Sequence, residues 1–92
     1  MSVLSVKNTN TNRDIEVYVP DKQHVTILED GNRFRIIVSR ETGIASWIDH
    51  STTETLIHDW GYIEPSHIKA NFGCYDKDAI AVYEIVKLIL ED

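Results

Sequence analysis

Apolar side chains recur at every second position through the first half of the chain. Ile15, Val17 and Val19 alternate with Asp14, Glu16 and Tyr18, the period of a half-buried strand. Pro20 ends that run because it has no backbone donor for a ladder. A second run, His24 to Glu29, is followed by Asp30-Gly31-Asn32 and a third run, Arg33 to Ser39. Asp-Gly between two β-rich runs predicts a hairpin, since glycine accepts the positive φ of such turns. Phe34, Ile36 and Val38 share one face of the return strand. Arg33, Arg35, Ile37 and Ser39 share the other. Arg40-Glu41-Thr42-Gly43 reads as a further turn before Ile44 to Ile48, and an initial strand, Val3 to Lys7, precedes the polar stretch Asn8 to Asn12. Short connections between consecutive strands predict an antiparallel meander.

The period then lengthens. Ser51-Thr52-Thr53-Glu54 fits a capping box, in which hydroxyl and carboxylate satisfy each other's backbone amides. Leu56, Ile57 and Trp60 follow at helical spacing, and Gly61 and Pro65 bound this helix. Ser66 to Asn71 reads as one more short turn. Asp76 is expected to cap a C-terminal helix, with Asp78 in its first turn, where the macrodipole favours acids. Ala79, Val82, Val86 and Ile89 form its apolar line; Ile80, Tyr83 and Leu90 widen it, and Lys77, Glu84, Lys87 and Glu91 lie opposite. The expected fold is therefore a single α+β domain over residues 1–92. An antiparallel sheet of about five strands (3–48) is followed by two main helices (about 52–62 and 77–90) packed on one sheet face.

Composition adds little to the fold but bounds the function. The charged fraction is 26% and the apolar fraction 42%, ordinary for a folded domain. The longest purely apolar run is three residues, as in Leu88-Ile89-Leu90, far short of the roughly 20 that a spanning helix needs. The one cysteine, Cys74, cannot form an intramolecular disulfide. The N-terminal residues lack the basic and apolar regions of a signal peptide. Together these point to the cytoplasm, or the host cytoplasm for a phage-encoded chain, with no membrane partner.

Charge changes the picture more. The net charge of −6 is unevenly spread: residues 1–40 carry net +1, and residues 41–92 carry net −7. Such asymmetry points to an electrostatic partner.

Catalytic and metal-binding patterns are weak. His58 and Asp59 adjoin, but on a helix they would point about 100° apart. His67 and Cys74 flank Gly73 without the orienting third group of an activated thiol, so Cys74 reads as a buried structural thiol. His24, His50, His58, His67 and Cys74 lack the paired spacing of zinc sites. Asp76-Lys77-Asp78 lacks the glycine and the terminal acid of a calcium loop. No glycine-rich phosphate loop occurs. No metal, cofactor or catalytic residue is expected.

Residues Thr53 to Phe72 have the outline of a helix-turn-helix, but the second helix would carry only Lys69 among Asp59, Glu64 and Asp76. Phosphate binding needs several cations, so direct nucleic-acid binding is not expected. Arg33, Arg35 and Arg40 make a small basic set, interrupted by Ile37 and Glu41.

In length, acidity and mixed α+β organisation the whole chain resembles small acidic phage-encoded anti-defence inhibitors, the anti-restriction and anti-CRISPR proteins of the DNA-mimic type. That resemblance is compositional. It implies a non-enzymatic inhibitor that presents an acidic surface to a basic nucleic-acid-binding protein, such as a host defence nuclease. Glu54, Asp59, Glu64, Asp76, Asp78, Glu84 and Glu91 would supply the partner-binding acids. Alternatives are an immunity or antitoxin protein that neutralises a toxin, a structural or adaptor subunit, and a small hydrolase or transferase using His58, His67 or Cys74. The sheet face opposite the helices would show Tyr18, Thr26, Leu28 and Ile37, more apolar than a solvated face requires. It is the expected interface of a homodimer, which would also pool the acids of two chains.

Overall fold

The computed structural model describes residues 3–49 and 57–92. Six strands form one sheet in sequence order, all neighbours antiparallel: β1 (Val3–Asn8), β2 (Arg13–Tyr18), β3 (His24–Glu29), β4 (Phe34–Ser39), β5 (Ile44–Asp49) and β6 (Ile57–Tyr62). Helices α1 (Pro65–Phe72) and α2 (Asp76–Glu91) follow. The α+β class, the meander and the sheet-then-helices order match the sequence reading.

Local chemistry accounts for the turns. Asp21 Oδ1 accepts from the amides of Gln23 (2.7 Å) and His24 (2.9 Å), which turns the chain after Pro20. At the β3–β4 hairpin Gly31 has φ +83°, and the Asn32 amide bonds the Glu29 carbonyl at 3.0 Å.

One element departs from expectation. Residues 57–62 form strand β6, not the second half of a helix, and the capping box Ser51–Glu54 lies outside the described residues. The reason is a β-bulge. His58 pairs with Trp47, Asp59 with Ser46 and Gly61 with Ala45, so Trp60 is the extra residue. A bulge breaks the period of two, and the apolar positions around it then read as helical spacing. Gly61, at φ +80°, supplies the backbone bend there. The helix-turn-helix outline therefore does not form. The helix expected as a short turn at 66–71 is the complete helix α1, with Pro65 in its first turn, where its missing amide costs nothing. Tyr75, not Asp76, is the N-cap of α2, and Asp76 and Asp78 lie in its first turn.

Period-two alternation sorts the sheet into two faces. Ile15, Val17, Val25, Ile27, Ile36, Val38 and Ala45 are buried beneath Ile68, Phe72, Ala79, Val82 and Val86 of the helices. Helix α2 lies over β1 and β2, and α1 over β4. Among the described residues no helix lies on the other face.

The polar stretch after β1 ties the two layers together. Asn8 is fully buried, and its side chain is saturated. Its Nδ2 donates to Glu29 Oε2 (2.8 Å) and to the Phe72 carbonyl at the end of α1 (3.1 Å). Its Oδ1 accepts from the Asn10 (3.0 Å) and Thr11 (3.4 Å) amides. Thr11 Oγ1 also donates to Glu29 Oε2 (3.1 Å), and Asn10 Nδ2 to the Gly73 carbonyl (2.7 Å). The buried groups among these, on Asn8, Glu29 and the Phe72 carbonyl, would be costly to bury alone.

Asn8→Ala should destabilise the protein by about 2–4 kcal/mol in urea denaturation, because it strands the buried Phe72 carbonyl and takes a donor from buried Glu29. Asn10→Ala removes an exposed bond and should cost under about 1 kcal/mol.

Candidate docking surfaces

The seven acids expected to act together do not share one surface. Glu54 lies outside the described residues. Asp59 stands on β6 and accepts from Ser46 Oγ at 2.8 Å, on the helix-free face of the sheet. Glu64 is the N-cap of α1; its amide donates to His67 Nδ1 at 3.2 Å. Asp76 is 2.9 Å from Lys69 Nζ. Asp78 is buried at 7% exposure, and its Oδ2 accepts from both the amide (3.0 Å) and the hydroxyl (2.8 Å) of Thr9. Its role is to hold the β1–β2 connection on α2. Glu84 and Glu91 alone remain grouped, exposed on the outer side of α2.

Those two carboxylates flank an apolar feature that the helical pattern concealed. Ile80, expected to widen the core stripe, and Leu88, which the pattern assigned to neither face, are 47% and 70% exposed. They stand eight residues apart, two turns along one side of the helix, with Glu84 between them. Leu88 also lines a groove with Leu4, Val19, Ile85 and Ile89, and with Arg40 and Asp92, where α2 meets β1, and Leu4 is itself half exposed. Lys87 lies in the same ridge. Among the described residues no ion pair includes Lys87, Glu84 or Glu91. The signal in the sequence was Leu88, an apolar residue off the line Ala79–Val82–Val86–Ile89.

A second surface is the helix-free face of the sheet. Tyr18, Leu28 and Ile37 are half-buried there, while Thr26 is 5% exposed and Ile48 8% exposed although no helix lies over them. Ile37, Ile44 and Ile48 line a shallow trough with Ser46 and Asp59.

The chemistry-bearing side chains are dispersed. His58 and Asp59 are successive strand residues and point to opposite faces; the His58 ring lies 5.0 Å from Trp47. The His67 ring stacks on Trp60 at 5.0 Å. Cys74 is buried, with its thiol 3.9 Å from the Ile68 carbonyl, and burial pushes its pKa up, away from the reactive thiolate. Among the described residues no three His, Cys, Asp or Glu side chains cluster to hold a metal ion, and no helix is long and apolar enough to cross a membrane. The three arginines separate: Arg33 sits over the Phe34 ring and 3.6 Å from Asp49, Arg35 is on the helix-free face, and Arg40 lies beside Lys22 and His24.

Two carboxylates carry a pH signature. The Thr9 amide and hydroxyl hold Asp78 below the usual aspartate pKa. The Gln23 amide, then the His24 side chain, do the same for Asp21. A lowered native pKa means the unfolded chain takes up more protons on acidification, so this stability is complete above the unfolded value and lost as pH falls. Melting temperature should therefore drop below about pH 4. Asp78→Asn, which cannot titrate, should flatten that acid limb in thermal melts recorded from about pH 6 to about pH 2.5.

Comparison of the chain with protein families, with curated proteins and with solved structures finds no match, so its own residues carry the functional argument.

Proposed function

We propose that this protein is a non-enzymatic binding protein that docks a basic partner protein through the outer ridge of α2 and the adjoining β1–α2 groove. The observation that carries this reading is Leu88, 70% exposed, with Glu84 one turn before it and Glu91 nearly one turn after. An exposed apolar anchor flanked by two carboxylates, with Lys87 beside it, suits a partner that offers an apolar pocket edged by Lys or Arg and an acid. Burial of the anchor supplies affinity, and the carboxylates steer the encounter and set specificity.

Inhibition of a nucleic-acid-binding protein is the biological role in keeping with this surface and with the −7 carried by residues 41–92. The acid placement supports docking more than imitation of a duplex. Glu84 and Glu91 are about 10 Å apart along the helix, whereas a duplex presents about one charge per 1.7 Å. Asp76 and Asp78 are already engaged with Lys69 and Thr9.

The test is capture of partners from a bacterial lysate by the wild-type chain, followed by affinity measurement with the recovered partner. A basic protein should be retained at about 50 mM salt and released towards about 0.5 M. Leu88→Asp should abolish the complex, and Glu84→Lys/Glu91→Lys should weaken it at least about tenfold, both with unchanged circular dichroism. Unaltered affinity in these variants would overturn the assignment.

A further inference from the structure

The helix-free face of the sheet carries two opposite charges whose side chains have no partner among the described residues. Glu16 on β2 and Arg35 on β4 are both half-buried, and among the described residues neither side chain takes part in a hydrogen bond or an ion pair. They stand in one row of the sheet. Glu16 is paired with Leu28 on β3, and Arg35 follows as the next residue of that row by the β3–β4 register. The neighbouring row runs Tyr18, Thr26, Ile37 and Ser46. Acid and base are therefore placed one strand to either side of β3, about 10 Å apart.

That spacing is self-complementary. A two-fold axis parallel to the strands and passing over β3 keeps each row in place and exchanges β2 with β4. It brings Glu16 of one copy opposite Arg35 of the other, twice. Leu28 meets Leu28 and Thr26 meets Thr26 at the axis. Tyr18 lies opposite Ile37, at the border of the trough that Ile37, Ile44 and Ile48 line. A two-fold contact requires each residue to face a complement on the same patch, and this face meets that requirement in both rows.

We propose that this face binds a second copy of the same chain, as a two-fold sheet-on-sheet dimer whose register is set by two reciprocal Glu16–Arg35 pairs. Five strands of each copy overlap in this arrangement, a flat footprint of about 24 Å by 20 Å. With the relief of the side chains added, the contact approaches the scale of roughly 800 Å² per partner of stable interfaces. Sheets packed face to face keep their strands within about 30° of each other and lie about 10 Å apart, a gap that these side chains fill. The contact is independent of the α2 ridge, which stays on the far side of each copy.

Sedimentation equilibrium on the full chain tests this. The wild type should be a dimer at micromolar concentration. Leu28→Arg should yield a folded monomer. Glu16→Arg and Arg35→Glu each place like charges face to face and should weaken the dimer about tenfold or more. The double variant Glu16→Arg/Arg35→Glu restores opposite charges and should recover dimerisation, which a change in fold stability alone would not do. A wild type monomeric at several hundred micromolar, a Leu28→Arg dimer held through a sheet edge, or a double variant no better than the singles would overturn the proposal.

Discussion

The structure depends on a saturated amide at the corner between its two layers. Asn8 has two donors and two acceptor sites, and all four are used within the protein. They join the end of β1, the end of β3, the β1–β2 connection and the C-terminus of α1. A buried amide that satisfies four contacts tolerates little displacement of its partners, since its own groups would be left unpaired in a dry site. Thr9 and Asp78 extend the junction to the start of α2. The apolar core supplies the driving force, but non-directional burial alone would let the helices slide over the sheet. These hydrogen bonds give the helix pair its position.

That position decides what remains available for binding. With α2 held over β1 and β2, its Val82 and Val86 reach the core while Ile80, Glu84 and Leu88 are left outside. With both helices on one face, the other face of the sheet is left with Tyr18, Leu28 and Ile37, and with the charges of Glu16 and Arg35. One placement thus creates two separate surfaces of different character, an apolar ridge flanked by two carboxylates and a nearly neutral sheet face.

The same placement disperses the acids. The net charge of residues 41–92 is real, but the structure divides its carriers among different tasks. Asp78 satisfies Thr9, Asp76 pairs with Lys69, Asp59 bonds Ser46 on the opposite face, and Glu64 sits at a helix start. Formal charge is conserved along a chain, whereas the surface potential depends on which carboxylates stay exposed and unpaired. A count of acids therefore overstates the acidic face, and the pair flanking Leu88 is what remains of it.

Much of this architecture was legible in the residues. Strict alternation from Ile15 to Val38 encodes strands with one buried face, and the short Asp-Gly and Thr-Gly connections permit only antiparallel neighbours. Sixteen residues of broad apolar stripe encode α2. Three matters were settled only in three dimensions. Strand β6 is set by pairing with β5 around the Trp60 bulge, and pairing between strands leaves no local period where a bulge interrupts it. The buried role of Asn8 is invisible in a polar run, since its partners are 21 and 64 residues away. The separation of Leu88 from the core depends on the angle at which α2 meets the sheet. Periodicity reports which residues share a face of their own element; only tertiary packing decides which of those faces is covered.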